Sequence, residues 1–319
     1  MLGGILAALG AGLVWGLVFI TPLLLPDYPG VILSFGRYIA FGVIAIVPAW
    51  LDRKRITQLR RQDWVAAVRL ALIGNIIYYA ALATAIQLAD APLPTMLIGT
   101  LPVVIAICSN WSPQKAGDPI AWKKLALPLL VIFIGLMLVN ASEVAHMDGQ
   151  RSMAGYIKGG LIALVAVAAW TWYPIMNSRY MKIYTHISSS TWATVQGLAT
   201  LPMAIVGFAA YGIWQHASGN YGNISSYDYP LGSDPLRFIG LMLTLGLLAS
   251  WLGTLLWNYA SQKLPTSLAG QLIVFETLSA LLYAFILRGS PPAPQILMGI
   301  VMLCAGVVIA VRAFKPTPH

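Results

Sequence analysis

Two ionisable side chains, Arg37 and Glu276, stand well inside otherwise uncharged apolar runs of the chain. A charge near the centre of a bilayer costs about 2.5–3.5 kcal/mol on insertion scales, so a residue kept there in spite of the cost is a functional candidate. A carboxyl group at that depth can hold a cationic substrate group or exchange a proton. It can also be a strut that hydrogen-bonds a neighbouring helix, and Glu276 is open to either reading. Arg37 lies within about 10–12 Å of the outer end of its run at ~1.5 Å per residue. That distance predicts that it snorkels outward or caps a neighbouring helix.

A second set of residues is aromatic. Trp15, Tyr78, Tyr79, Trp170, Tyr173, Trp251, Trp257 and Tyr259 fall inside apolar runs, several of them away from the ends. Interfacial belts account for Trp50, Trp64, Trp111 and Trp122, which sit at the ends. They do not account for Trp15, about twelve residues into its run. Neutral hydrogen-bonding groups accompany the rings: Asn75, Thr84, Gln87, Thr100, Gln196, Asn258, Gln262 and Gln271. A cavity walled by aromatic faces, with few polar groups, suits a flat, amphipathic or cationic solute. Any single ring of this kind is more often core packing, and the set at both repeat-related positions carries more weight than any member.

Enzymatic chemistry finds no support. The four histidines, His146, His186, His216 and His319, all fall in connecting segments or the tail. No run holds a paired nucleophile and base or a set of metal ligands. There is no phosphate-cradling Walker loop and no central lysine for a Schiff base. Cys108 and Cys304 lie in different apolar runs and read as small buried hydrophobes. The chain is therefore expected to be no enzyme and to need no cofactor or metal.

The elements that must position these residues follow from composition. Of 319 residues, 59% are hydrophobic and 9% charged, against about 25% charged in a soluble domain. Lipid must be the solvent. Spans are predicted over 3–25, 30–50, 64–89, 92–110, 122–141, 156–177, 187–213, 236–260, 266–287 and 293–313. The first run lacks a charged n-region and reads as a span rather than a leader peptide. Prolines 22, 48, 94, 102, 128, 174 and 202 fall within spans and mark plausible hinges. The segment 214–235, rich in Gly, Ser, Tyr and Asn, reads as an irregular external cap.

The net charge of +9 is no nucleic-acid footprint, because the basic residues sit in short connections. Fourteen of them fall on one side: Arg53, Lys54, Arg55, Arg60, Arg61, Arg69, Lys115, Lys123, Lys124, Arg179, Lys182, Lys263, Arg312 and Lys315. Four fall on the other: Arg151, Lys158, Arg237 and Arg288. The positive-inside rule then places both termini in the cytoplasm.

The chain also repeats itself. Gly4, Leu6, Ala8, Leu9, Ala11, Trp15 and Ile20 align with Gly159, Leu161, Ala163, Leu164, Ala166, Trp170 and Ile175 at an offset of 155. Ala85, Gln87, Leu93 and Leu97 align with Ala260, Gln262, Leu268 and Leu272 at 175, and Gly135 with Gly306 at 171. Each half then carries five spans, an odd number, so the second half threads the bilayer upside down relative to the first. Inverted repeats of this kind build secondary transporters whose site lies near the midplane. The expected architecture is an all-α membrane protein of ten transmembrane helices in two inverted five-helix repeats, 1–145 and 154–319.

On these residues the chain resembles the drug/metabolite transporter superfamily, in its EamA-repeat branch. The resemblance rests on the Ala-Leu-x-Ala-x-x-Trp patterns ending at Trp15 and Trp170, Ser34-Phe35-Gly36-Arg37-Tyr38, Thr100-Leu101-Pro102-Val103, and Gly270 with Glu276. Within the branch it is similar to aromatic amino acid and methyl viologen exporters of the YddG type. The resemblance implies a bacterial inner-membrane exporter with a central cavity between the first, third, fourth, sixth, eighth and ninth helices. The scarcity of buried lysine and arginine departs from carriers of phosphorylated solutes. The expected function is export of aromatic or other hydrophobic amino acids by alternating access. Export of flat organic cations is the alternative, and a channel-like protein without a transport cycle a third. The expected substrate-binding set is Trp15, Asn75, Tyr78, Tyr79, Thr100, Trp170, Tyr173, Trp251, Trp257, Asn258 and Gln271, with Glu276 and Arg37 as coupling or structural charges.

Overall fold

A bilayer offers the backbone no hydrogen-bonding partner, so a chain dissolved in it must satisfy its own N–H and C=O groups, and a helix does this within one segment. The structure, a computed structural model, describes residues 1–89, 92–111, 122–145, 153–217, 227–289, 291 and 294–313. These residues form helices joined by short turns, with no strand among them. In chain order the helices are α1 (Leu2–Leu24), α2 (Gly30–Leu51) and α3 (Arg61–Ala89), α4 (Pro92–Gly99 with Leu101–Trp111) and α5 (Trp122–Ala145). They continue with α6 (Met153–Ile183), α7 (Ser189–Ala217), α8 (Pro235–Lys263) and α9 (Thr266–Leu287), and α10 (Pro294–Ala313).

Among the described residues, seven helices are long and apolar enough to cross a membrane: α1, α2, α3, α6, α7, α8 and α9. The apolar stretches of α4, α5 and α10 are shorter: Leu97–Ser109, Ala126–Leu138 and Pro294–Ala310. Ten full spans therefore exceed what length and composition establish. α6 and α8 run further than the sequence spacing predicts, to Ile183 and Lys263, because their charged ends stay helical beyond the apolar stretch. In the segment read as an external cap, α7 continues to Ala217, a short turn precedes α8, and residues 218–226 lie outside the described set. Lys115, Arg151 and Lys315, counted in the charge bias, also lie outside it.

Small residues set how close the helices come, as expected where no hydrophobic effect drives helices together in lipid. A Cβ on Gly12 falls 2.9 Å from the backbone nitrogen of Glu276, so α1 and α9 meet backbone to backbone. The sequence-matched glycines 135 and 306 both serve the α5–α10 contact. A Cβ on Gly135 falls 2.9 Å from the Gly299 carbonyl oxygen, and one on Gly306 falls 2.6 Å from Ile132. A small core of Ile132, Leu136, Val274, Leu281, Ile296 and Leu303 joins this pair to α9. The main core runs through α1, α2, α3, α6, α7 and α8.

The helices depart from regularity at particular places. α3 contains a π-helical segment, Leu72–Ile77, and α8 contains another, Leu245–Leu252. At the sequence offset of 175 that aligns these two helices, the first maps to 247–252 and falls inside the second. α4 breaks at Thr100, and α9 breaks at Ile273, three residues before Glu276. α1 is interrupted at Gly16. Farther along α1, Pro22 lacks the N–H that would bond the Val18 carbonyl, and that carbonyl accepts the Tyr79 hydroxyl at 3.4 Å instead. Such irregularities cluster at functional sites, and discontinuous helices build the midplane sites of transporters.

Candidate functional site

The π-helical stretches of α3 and α8 and the interrupted stretches of α1 and α9 converge on one small cavity, whereas the break of α4 does not reach it. It is lined by Trp15 and Val18 of α1, Arg37 and Tyr38 of α2, Asn75 and Tyr78 of α3, Trp170 of α6, Ala249, Ser250 and Thr254 of α8, and Glu276 of α9. Six of its eleven residues (Trp15, Arg37, Asn75, Tyr78, Trp170 and Glu276) are candidates from the sequence pattern, and Tyr38 closes the Ser34-Phe35-Gly36-Arg37-Tyr38 motif. Val18, Ala249, Ser250 and Thr254 carried no signal that separated them from core residues; Ser250 stands 175 residues after Asn75, the offset that relates α3 to α8.

The aromatic wall is a connected stack. Trp170 lies between Tyr78, with centroids 4.5 Å apart and planes within 18°, and Tyr173, at 5.0 Å and 6°. Trp15 meets Trp170 edge to face at 5.3 Å and 75°, and Trp257 packs behind Trp15 at 5.4 Å. These arrangements follow the ring quadrupoles, and each pair adds about 0.5–1.5 kcal/mol beyond buried area. Trp15 is fixed further by its indole N–H, which donates to the Ala249 carbonyl in the π segment of α8 at 2.8 Å.

Arg37 does not snorkel. It is 5% exposed and turned inward. Its Nε donates to Ser250 Oγ at 2.9 Å, and its guanidinium carbon stands 5.0 Å from the Tyr38 ring centroid and 4.8 Å from that of Tyr79. The helical face, not the distance to the helix end, decides its direction: Ser34, Arg37 and Tyr38 lie on the buried side of α2. Glu276 is 4% exposed. Among the described residues the one ion pair within 4 Å is Arg55–Asp52, so Arg37 and Glu276 face the same cavity without touching.

Four cavity-lining residues carry a buried polar atom with no hydrogen bond inside the chain: Arg37 Nη1, Tyr78 Oη, Trp170 Nε1 and Glu276 Oε2. An unsatisfied buried group costs about 1–3 kcal/mol, and more when charged. Three donors and one carboxylate oxygen therefore face the cavity without a partner inside the chain. The space now free to a water-sized molecule is about 10 Å³, which is about one water. This conformation is closed around the site, and any larger solute requires the helices to part.

The remaining predicted residues distribute around the cavity rather than in it. Tyr79 lies beneath Arg37, and Tyr173 and Trp257 lie behind the indoles. Asn258 belongs to a buried polar network one layer away. Tyr173 donates to Gln196 Oε1 at 2.9 Å, Gln196 and Trp192 both donate to Asn177 Oδ1, and Asn177 donates to Asn258 Oδ1 at 2.8 Å. Asn75 joins this network from the cavity through Thr200 Oγ1 at 3.2 Å. Thr200 in turn donates to the Gln196 carbonyl. Trp251 is half-buried and donates to Thr194 at 3.2 Å. Thr100 donates to the Leu97 carbonyl at the break of α4. Gln271 is fully buried, and neither end of its amide has a partner in the chain. Tyr259 is 39% exposed and sits near Lys263, outside the cluster.

A third buried ionisable group escaped the sequence reading. Asp63, 3% exposed, accepts the Arg60 backbone N–H at 2.7 Å and the Tyr180 hydroxyl. It stands in the first turn of α3, where the helix dipole favours an anion. Among the described residues no cluster of three His, Cys, Asp or Glu forms a metal site.

Comparison with known proteins gives the surroundings of this geometry. The model of the EamA-like transporter family matches residues 2–141 and again 157–312. The chain is 46% identical over 318 residues to "Inner membrane protein YtfF" of Escherichia coli (strain K12), covering 100% of this chain and 98% of that one. It is 18% identical over 311 residues to "Uncharacterized transporter YoaV" of Bacillus subtilis (strain 168), covering 97% of each. A solved structure with 16% identity superposes with a TM-score of 0.70 over 98% of this chain and 99% of that one, a likeness of fold.

Proposed function

We propose, starting from a chain that belongs to the EamA-like transporter family, that it is a secondary transporter which exports aromatic or other hydrophobic amino acids across the bacterial inner membrane by alternating access. The observation that carries the reading is the pair of unpartnered opposite charges, Arg37 Nη1 and Glu276 Oε2, on one aromatic-walled cavity. A free amino acid carries both complementary groups. Its carboxylate would accept from Arg37, and its ammonium would donate to Glu276. Its ring would stack on the Trp170–Tyr78 wall.

The ten-span, two-repeat architecture is part of the same proposal. It is supported by the separate family matches at 2–141 and 157–312, beside the units 1–145 and 154–319. The π segments of α3 and α8, at matching positions, and the breaks of α4 and α9 support it as well. Inner-membrane residence is supported by the seven long apolar helices and the printed name of the Escherichia coli relative. The fourteen-to-four basic bias supports cytoplasmic termini.

Export of flat organic cations such as methyl viologen has one feature in its favour, since Glu276 and the ring faces both attract cations. The buried Arg37 guanidinium on the same cavity opposes it. Competition in proteoliposomes separates the readings. Counterflow of labelled tryptophan should be inhibited by phenylalanine and tyrosine and much less by methyl viologen. Stronger inhibition by the cation would replace the first reading with the second. Absence of counterflow with labelled tryptophan and with labelled methyl viologen alike would leave a protein without a transport cycle.

A further inference from the structure

A second depression lies away from the central cavity, between α3 and α6, with a volume of about 270 Å³. Two arginines line it, Arg69 of α3 and Arg179 of α6. Both are exposed, and neither has a carboxylate within 4 Å among the described residues. The nearby acid, Asp63, is already taken by Tyr180 and the Arg60 backbone, so it does not neutralise them. The Tyr180–Asp63 bond also ties the end of α6 to the start of α3, so both arginines belong to one end of the molecule. Arg69 stands about 12 Å along α3 from Arg61, and Arg179 about 6 Å from the end of α6 at Ile183, at ~1.5 Å per residue. Trp172 and Met176 of α6 and Leu70 of α3 add an apolar wall, with Met176 at about the depth of Arg69.

We propose that this groove binds the headgroup of an anionic phospholipid. Two guanidinium forks match a phosphodiester bidentately, and exposed arginines this far along membrane helices need a counter-anion. The wall sets two guanidinium groups beside the apolar faces of Leu70, Trp172 and Met176, the two chemistries that a phospholipid joins in its phosphate and its acyl chain. A soluble phosphate would satisfy the arginines but would leave the apolar wall unused. Basic grooves between membrane helices are the usual seats of anionic headgroups.

Native mass spectrometry of the detergent-purified chain tests this, with phosphatidylglycerol and phosphatidylcholine as probes. The wild type should retain phosphatidylglycerol in preference to phosphatidylcholine by roughly 30-fold, the attraction expected of two arginines near a surface. Arg69→Gln/Arg179→Gln should lose the preference while binding phosphatidylcholine as before. Arg69→Lys/Arg179→Lys, which keeps the charge, should retain part of it, and the exposed Arg53→Gln should retain all of it. Inorganic phosphate in excess should not displace the lipid. An unchanged preference in Arg69→Gln/Arg179→Gln overturns the proposal. So does displacement by phosphate alone, or a dimer of the chain that the same double substitution abolishes.

Discussion

Arg37 is held by Ser250 on one side and by the faces of Tyr38 and Tyr79 on the other, which leaves Nη1 as its free donor. In the proposed function this group receives the substrate carboxylate. Arg37→Gln should raise the apparent KM for tryptophan about 10- to 100-fold, the worth of one charged hydrogen bond, with folding preserved in detergent. Glu276→Gln keeps the shape and removes the charge, and it should cost a similar factor. An unchanged rate would make Glu276 a structural strut. Tyr78 gives a prediction of opposite signs. Its buried hydroxyl has no partner in the chain, so Tyr78→Phe should raise the melting temperature by relieving an unsatisfied group while weakening transport. A simultaneous fall in both would assign the hydroxyl to folding alone. The ring faces were legible in the sequence as Trp15 and Trp170 at matching repeat positions. The direction of Arg37 was not, because distance along a helix does not say which face a side chain occupies. Asp63 was missed for a related reason: next to Arg60 and Arg61 it reads as part of a charged connection, and only the capping geometry shows it buried.

The helices carry information the side-chain pattern does not. α1 approaches α9 so closely that Gly12 has no room for a methyl group beside the Glu276 backbone. Gly12→Ala should destabilise the protein by about 1–3 kcal/mol through overpacking and reduce transport by displacing Glu276. Gly240, in α8, has nothing within 4 Å of an added Cβ. Gly240→Ala should therefore be neutral or stabilising by up to about 1 kcal/mol. Thermal unfolding of the two variants distinguishes a helix contact from a general intolerance of α1 and α8 to substitution. The existence of the long helices was legible because apolar length alone encodes them. Their π segments were not, since Leu72–Ile77 and Leu245–Leu252 have ordinary compositions and no proline. What betrays them is tertiary: Asn75 and Ser250 turn toward the same cavity from matching positions.

Taken together, the helices enclose opposite charges among aromatic rings, in a space that now admits about one water. A transporter must open such a site to one side at a time, so its orientation matters. In a Cys108→Ala/Cys304→Ala background, Ser233→Cys should react with an impermeant thiol reagent from outside and Thr57→Cys should not; the reverse pattern would invert the proposed topology. The repeat and the membrane class were legible from offsets and composition, whereas the closed state was not, because one sequence is compatible with every conformation the chain adopts. The central claim is that Arg37 and Glu276 together recognise a zwitterion against aromatic walls. Counterflow of labelled tryptophan in proteoliposomes carrying the wild type, Arg37→Gln and Glu276→Gln tests it most directly, with decarboxylated tryptamine as competitor. The account predicts exchange by the wild type, loss in both variants, and wild-type inhibition by phenylalanine far stronger than by tryptamine, which lacks the group for Arg37. Equal inhibition by the two, or full exchange in either variant, would contradict it.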